Sequence, residues 1–186
     1  LYDSLVTGLI ERVTDHLTAP HETLPREIFH IVRPQQIVLA TGALERGLAF
    51  GNNDRPGVML GHAVARYARR FGVIAGSSCV MATCHDGSYD DALHLAEAGL
   101  QVTILDARPC HTEAQDAGRR AGLDILFETV PVNVAGRTQC VGLEIGRRLT
   151  DGFAQSDNIM IGADVVGVSG GYSPVINLLS HRGVKP

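Results

Sequence analysis

The stretch that decides the fold is Cys79-Val80-Met81-Ala82-Thr83-Cys84-His85-Asp86-Gly87-Ser88, continuing to Gly99 and then Val102-Thr103-Ile104-Leu105-Asp106. Cys79 to Thr83 is a short uncharged run that suits a buried strand. From about Ser88 to Ala98 the spacing is helical, with Ala92, Leu93, Leu95 and Ala96 on the inward face. Gly99 falls where a left-handed C-terminal cap is wanted. Val102 to Leu105 is again strand-like and ends at Asp106. Two apolar strands flanking an amphipathic helix predict parallel strands joined by a right-handed crossover, and so an α/β domain.

Working outward, Leu60 to Phe71 is predicted as a helix, with Leu60, Val64, Tyr67, Ala68 and Phe71 on its buried face. Phe50 to Gly57 (FGNNDRPG) is a turn-rich connector before it. Ile37 to Ala40 reads as a buried strand ending in Thr41-Gly42-Ala43, and Ile28 to Val32 as a short strand. Leu5 to Leu17 fits a helix face or a strand, and the residues alone leave both open. Beyond Asp106 the pattern predicts a helix from about Thr112 to Ala121 and a strand from Ile125 to Phe127. A meander over Val130 to Val134 and Val141 to Ile145 follows, then a buried strand from Val165 to Val168. Tyr172-Ser173-Pro174 is expected to open a short helix to about Leu179.

The chain has 186 residues, 45% of them hydrophobic and 19% charged, with a net charge of -4. That is enough apolar material for a core, and a mildly acidic chain repels phosphate backbones, which argues against nucleic acid as partner. No apolar run reaches the roughly 20 residues that cross a bilayer, so no membrane span is expected. The chain starts at Leu1 rather than Met, and both ends read as cuts in a longer protein. Four cysteines without a C-x-x-C suit a reduced, cytoplasmic setting.

The turn after the first strand carries the candidate site. A dinucleotide-binding turn favours G-x-G-x-x-G/A, because only glycine lets the backbone approach a pyrophosphate. Here Thr83 and His85 stand where the first two glycines belong, and Ser88 where the third small residue belongs. Asp86 adds a negative charge at the helix N-terminus, where phosphate would sit. The architecture is therefore retained while phosphate binding is weakened or lost. Asp106 stands where an acid usually holds a ribose 2′-OH, which favours NAD over NADP, or it is a solvated strand-end carboxylate. Cys79 and Cys84 resemble a C-x-x-x-x-C redox pair. On a strand rising about 3.3 Å per residue they are about 16 Å apart, so dithiol chemistry is excluded and Cys79 reads as core. The eight histidines show no metal-ligand spacing: His62 and His94 lie on helices, and His16, His21 and His30 in a loop-rich stretch.

Ile37-Val38-Leu39-Ala40-Thr41-Gly42-Ala43-Leu44-Glu45-Arg46 resembles the segment that closes the first half of two-dinucleotide-domain flavoproteins. Val165 to Pro174 (VVGVSGGYSP) resembles the one that closes the inserted second half. Ala49 to Leu60 (AFGNNDRPGVML), with Glu11 to Leu17 (ERVTDHL), Asp106-Ala107-Arg108 and Ser169-Gly170-Gly171, is similar to the heterotetrameric sarcosine oxidase alpha-subunit family. The resemblance covers nearly the whole chain, and the connector is its most specific part.

It implies a three-layer FAD/NAD(P)-binding, Rossmann-like domain with a parallel sheet, a β-meander and flanking helices. Residues 1–50 would end a first dinucleotide-binding half, 51–180 would form the inserted NAD-type domain, and 181–186 would begin the return. It implies NAD as cofactor, with FAD and FMN in the full complex, and beta-, gamma- and delta-type partner subunits in an enzyme that oxidatively demethylates sarcosine. It places the dinucleotide along Ala40, Thr41 and Gly42 of the first half. Arg46, with Glu45, would pair or orient phosphate, and Gly170 and Gly171 would let the last strand pass close to a neighbour or ligand. It also turns the ambiguous Leu5 to Leu17 stretch into strand. Two alternatives stay open: a partner-docking scaffold with a lost site, and the alpha chain of a related proline, opine or amine dehydrogenase.

Overall fold

The computed structural model describes residues 5–109, 112–150 and 153–180. Its elements run β1 (Thr7–Arg12), β2 (Glu27–Val32), β3 (Ala43–Glu45), β4 (Val58–Leu60), α1 (Gly61–Phe71), β5 (Ser78–Thr83), α2 (Gly87–Glu97) and β6 (Gln101–Asp106). They continue with α3 (Glu113–Arg120), β7 (Asp124–Phe127), β8 (Thr129–Ala135), β9 (Gly142–Arg148), β10 (Ala154–Gly162), β11 (Val165–Ser169), β12 (Tyr172–Pro174) and α4 (Asn177–Ser180). The chain divides into two compact units, one from Leu1–Ala43 with Pro174–Pro186 and one over Leu44–Ser173. These boundaries fall at 43/44 and 173/174, where the sequence reading set 50/51 and 180/181; residues 181–186 and Cys110 lie outside the described residues.

The larger unit has a five-stranded parallel sheet in the order β4-β11-β5-β6-β7. Successive side chains on a strand point to opposite faces, and the core divides accordingly. Cys79, Met81, Val102, Ile104 and Val165 face Val64 and Ala65 of α1 and Tyr89, Ala92 and Leu95 of α2. Val80, Ala82, Leu105, Val166 and Val168 face Val134, Leu143 and Ile145 of the antiparallel meander β10-β9-β8. Helices, parallel sheet and meander thus make the three layers expected. Cys79 is core, and burial pushes its thiol up to about 12. Gly99 has φ +97°, as a left-handed helix end requires. No helix among the described residues is long and apolar enough to cross a membrane.

Several expectations are corrected. The buried face of α1 is Gly61, Val64 and Ala65, while Tyr67 and Phe71 stay exposed. The reason is close packing: a Cβ on Gly61 would lie 2.7 Å from Met81 Sδ, and one on Gly167 2.9 Å from it, so only small residues fit that seam. The meander has a third strand, β10, beyond the two expected, and it carries the polar run Ser156-Asp157-Asn158. The register shifts between Ser156 and Ile159, with Asn158 at φ +55°, so this polar run is a bulge inside a strand. Tyr172-Ser173-Pro174 is strand, and the short helix begins only at Asn177.

In the smaller unit β1 and β2 pair antiparallel over Thr7–Arg12 and Glu27–Val32, so the ambiguous Leu5 to Leu17 stretch is strand over Thr7–Arg12 and turns from Val13 onward. His30 therefore lies on a strand, its Nε2 2.8 Å from Glu11 Oε2. Leu9, Ile10, Phe29 and Ile31 of this hairpin are exposed. Ile37 to Ala40 is not a buried strand: Val38 and Ala40 are exposed and the segment is irregular. A strand exists through ladder bonds to a neighbour, and no described residue supplies one here.

Candidate functional site

The site lies at the carboxyl ends of β5 and β11, adjacent strands between which the strand order reverses: β5 leads through α2 to β6 on one side, and the chain returns through the meander to β11 on the other. In open α/β sheets that switch point is where ligands enter. Thr83 ends β5 and Ser169 ends β11, and both are buried.

His85 spans the gap between them. Its Nε2 is 2.7 Å from Ser169 Oγ and 3.4 Å from Ser88 Oγ, and its Nδ1 accepts the Gly87 N–H at 3.1 Å. The Tyr172 ring meets the imidazole edge-on at 5.3 Å between centroids. Thr83 and Ser88 hydroxyls bond each other at 2.8 Å, and Thr83 Oγ1 accepts the His85 N–H at 3.2 Å. The three side chains that replace the glycine pattern are therefore brought together and satisfy one another.

Because a donor faces Nδ1, that nitrogen carries the lone pair and Nε2 carries the hydrogen. The ring donates to Ser169 and is not placed to take its proton, so this pair is not an activated nucleophile. Burial lowers the His85 pKa; Glu45, Asp86 and Asp106 oppose that and Arg108 adds to it. A base held neutral in the fold while its unfolded form protonates near pH 6.5 loses stability as pH falls below that value. We therefore expect the melting temperature of the intact protein to drop more between pH 7.5 and 5.5 than that of its His85→Asn variant. Equal drops would show that the ring is not held neutral.

Asp106 departs from its expected role. It is fully buried and its carboxylate is saturated. Oδ1 accepts the Arg108 backbone N–H at 2.9 Å and Nε–H at 3.0 Å. Oδ2 accepts Tyr89 OH at 2.8 Å, Gln115 Nε2 at 2.8 Å and Arg108 Nη2 at 2.9 Å. No oxygen is left for a ribose, nor is this the solvated strand end that was the alternative. Arg108 also reaches Asp86 at 2.8 Å, and Thr112 Oγ1 donates to Asp86 at 3.0 Å, so the charge at the start of α2 is held by protein. Gln115 is placed by a capping box with Thr112 at the start of α3. Tyr89, Arg108, Gln115 and Ser169 were missed as site residues; the T-x-x-Q spacing of Thr112 and Gln115 was the one available signal.

Glu45 accepts the His62 N–H on both carboxylate oxygens, at 3.2 and 3.1 Å, and so caps α1 in place of pairing with Arg46. Glu45→Ala should cost roughly 0.5–2 kcal/mol, the usual value of a helix cap, read from a urea titration; no change would remove this role. Arg46 makes no ion pair with a described residue, but its backbone binds Gly170 N–H at 2.7 Å and Gly171 O at 2.8 Å. A Cβ on Gly170 would lie 2.9 Å from Leu48 Cδ2, so this glycine admits a neighbouring chain segment. In the smaller unit, Thr41 Oγ1 donates to Val175 O and Gly42 O accepts the Val175 N–H at 3.0 Å; Ala40 and Thr41 are exposed.

Beside Thr83 and Cys84, a crevice of about 370 Å3 opens between the sheet and the meander, bordered by Leu105, Thr129, Arg148 and Phe153.

The sequence is 38% identical to the sarcosine oxidase alpha subunit of Corynebacterium sp. (strain P-1) over 97% of this chain, and 36% identical to that of Rhizobium meliloti over 100% of it. The chain belongs to the sarcosine oxidase alpha-subunit family, as the counterpart of one segment. It spans 19% and 18% of the length of those two relatives. No family model matches the sequence. Among solved structures, thioredoxin reductase from Lactococcus lactis superposes with a TM-score of 0.63 at 18% identity, over 85% of this chain and 51% of that one. A ferredoxin reductase from Rhodopseudomonas palustris gives 0.58 at 19% identity, over 84% and 39%. The fold of this sarcosine oxidase alpha-family chain is thus that of the FAD/NAD(P)-binding reductases.

Proposed function

We propose that this chain is the pyridine-nucleotide-type domain of a sarcosine oxidase-like alpha subunit. It would serve a cytoplasmic, flavin-dependent complex that oxidatively demethylates sarcosine with beta-, gamma- and delta-type partners. The supporting observation is 36–38% identity sustained over 97–100% of the chain to subunits of that name. NAD is the dinucleotide proposed for the alpha subunit, with FAD and FMN elsewhere in the complex.

Within the chain, the Ala40-Thr41-Gly42 segment is the proposed NAD contact. It is exposed, and a Cβ added at Gly42 would meet no atom of the described residues within 4 Å, so the side of the chain turned away from Val175 is open to a ligand. Arg46, which has no ion pair among the described residues, supplies a cation close to it in sequence. Thr83, His85, Ser88, Asp106, Gly170 and Gly171 serve the architecture of the second half.

The alternative of a partner-docking scaffold draws on the self-satisfied state of the Thr83–Ser88 turn. The test is the intact protein purified with its partner subunits. Sarcosine should drive oxygen uptake with formaldehyde and hydrogen peroxide formed, and NAD should be released on denaturation. Released NAD without sarcosine turnover would point to another amine, proline or opine substrate. Neither would leave the scaffold.

A further inference from the structure

A pyrophosphate bound at a strand–turn–helix needs three things from the protein: close backbone approach, free N–H donors and no competing negative charge. At the Thr83–Ser88 turn each of the three is compromised. The imidazole of His85 lies over the start of α2, and the Gly87 N–H that would face a phosphate oxygen is spent on Nδ1 at 3.1 Å. The hydroxyls of Thr83 and Ser88, which could donate to an anion, bond each other. The Asp86 carboxylate stands at the N-cap, fixed by Arg108 and Thr112. On the other wall of the switch point, Ser169 takes the ring's second nitrogen, so the imidazole bridges β5 and β11 across the gap a dinucleotide would enter. At the neighbouring helix start, the Glu45 carboxylate occupies the first-turn amide of α1. At each of the two helix starts a first-turn amide is therefore taken by a side chain of the chain itself, Gly87 by His85 and His62 by Glu45.

We propose that His85 is an internal ligand that closes the pyrophosphate position of this half, so that any dinucleotide on the intact protein is held without the Thr83–Ser88 turn. Neutral imidazole suits that place: it offers an acceptor to the Gly87 amide and a donor to Ser169. It brings no charge that would have to be matched among Glu45, Asp86, Asp106 and Arg108, the charged groups around it. The edge of Tyr172 covers one side of the ring.

Closure of the turn by His85 is independent of which amine the complex oxidises. The experiment is calorimetric titration of the intact protein with ADP-ribose, for the wild type and for His85→Asn and His85→Asp. Asn keeps an acceptor for the Gly87 amide. Asp also keeps one but adds a negative charge that would repel a pyrophosphate seated there. The expected result is that ADP-ribose affinity is the same within about twofold in all three. The same result is expected for the amount of NAD released on denaturation. A tenfold or greater loss in His85→Asp, with a smaller loss in His85→Asn, would place the ligand on this turn and overturn the proposal. A wild type that binds no ADP-ribose would agree with a closed turn while removing NAD from the functional proposal, so the two can fail separately.

Discussion

Asp106→Ala is expected to destabilise the larger unit by about 3–5 kcal/mol, the usual result of removing one partner from a buried ion pair. Five hydrogen-bond contacts from Tyr89, Gln115 and Arg108 converge on this carboxylate, which is fully buried at the end of β6. Truncation leaves the Tyr89 hydroxyl and the Gln115 amide without this acceptor and takes from the Arg108 guanidinium one of its two carboxylate partners among the described residues. Against a total stability of about 5–15 kcal/mol for a domain, that is a large fraction. The urea midpoint is the measurement, and a shift equivalent to less than about 1 kcal/mol would refute the structural role. The same network gives a pH signature. Burial alone would raise the Asp106 pKa, but the bonds from Arg108, Gln115 and Tyr89 together lower it. A carboxylate depressed in the fold stabilises above its unfolded pKa near 4, and that stability is lost as pH falls below it. A further consequence is that loss of NAD binding in Asp106→Ala would not identify a ribose contact, because unfolding gives the same result.

Leu143→Ala is expected to cost about 2–5 kcal/mol. Leu143 is fully buried on β9, in the layer where the meander meets Val80, Leu105 and Val166 of the parallel sheet. Its removal leaves a cavity between two sheets, each stiffened by its own ladder and so poorly able to close over the gap. The exposed neighbour Val141 is the control, and Val141→Ala should stay within about 0.5 kcal/mol of wild type. Equal effects at the two positions would mean that the meander does not form the third layer in solution.

The central strands β5, β6 and β11 were legible because they are buried on both faces and read as short apolar runs between helical spacings, whereas the half-covered edge strand β4, Val58–Leu60, was not. Cys79 to Thr83 and Val102 to Asp106 needed no tertiary information. What failed was whatever depended on a neighbour. Tyr67 and Phe71 share the helical spacing of Val64, yet the small-residue seam of Gly61 and Gly167 turns them out. Ile37 to Ala40 has strand composition but finds no ladder partner among the described residues. The bulge at Ser156 to Asn158 is local polarity overruled by pairing with β9. At the site, the glycine replacements at Thr83 and His85 were visible as losses. That they compensate one another was not, because Ser169 lies 84 residues from His85. The reading of Asp106 as a ribose acid or a solvated strand end followed from its position alone, without Arg108, Tyr89 and Gln115 converging on it.

The most direct test of the central claim is a crystal structure of the intact protein with NAD bound. The dinucleotide is expected along Ala40, Thr41 and Gly42, with the His85 ring still on Ser169 and the Gly87 amide. A pyrophosphate on the Gly87 amide, with His85 swung away, would contradict it.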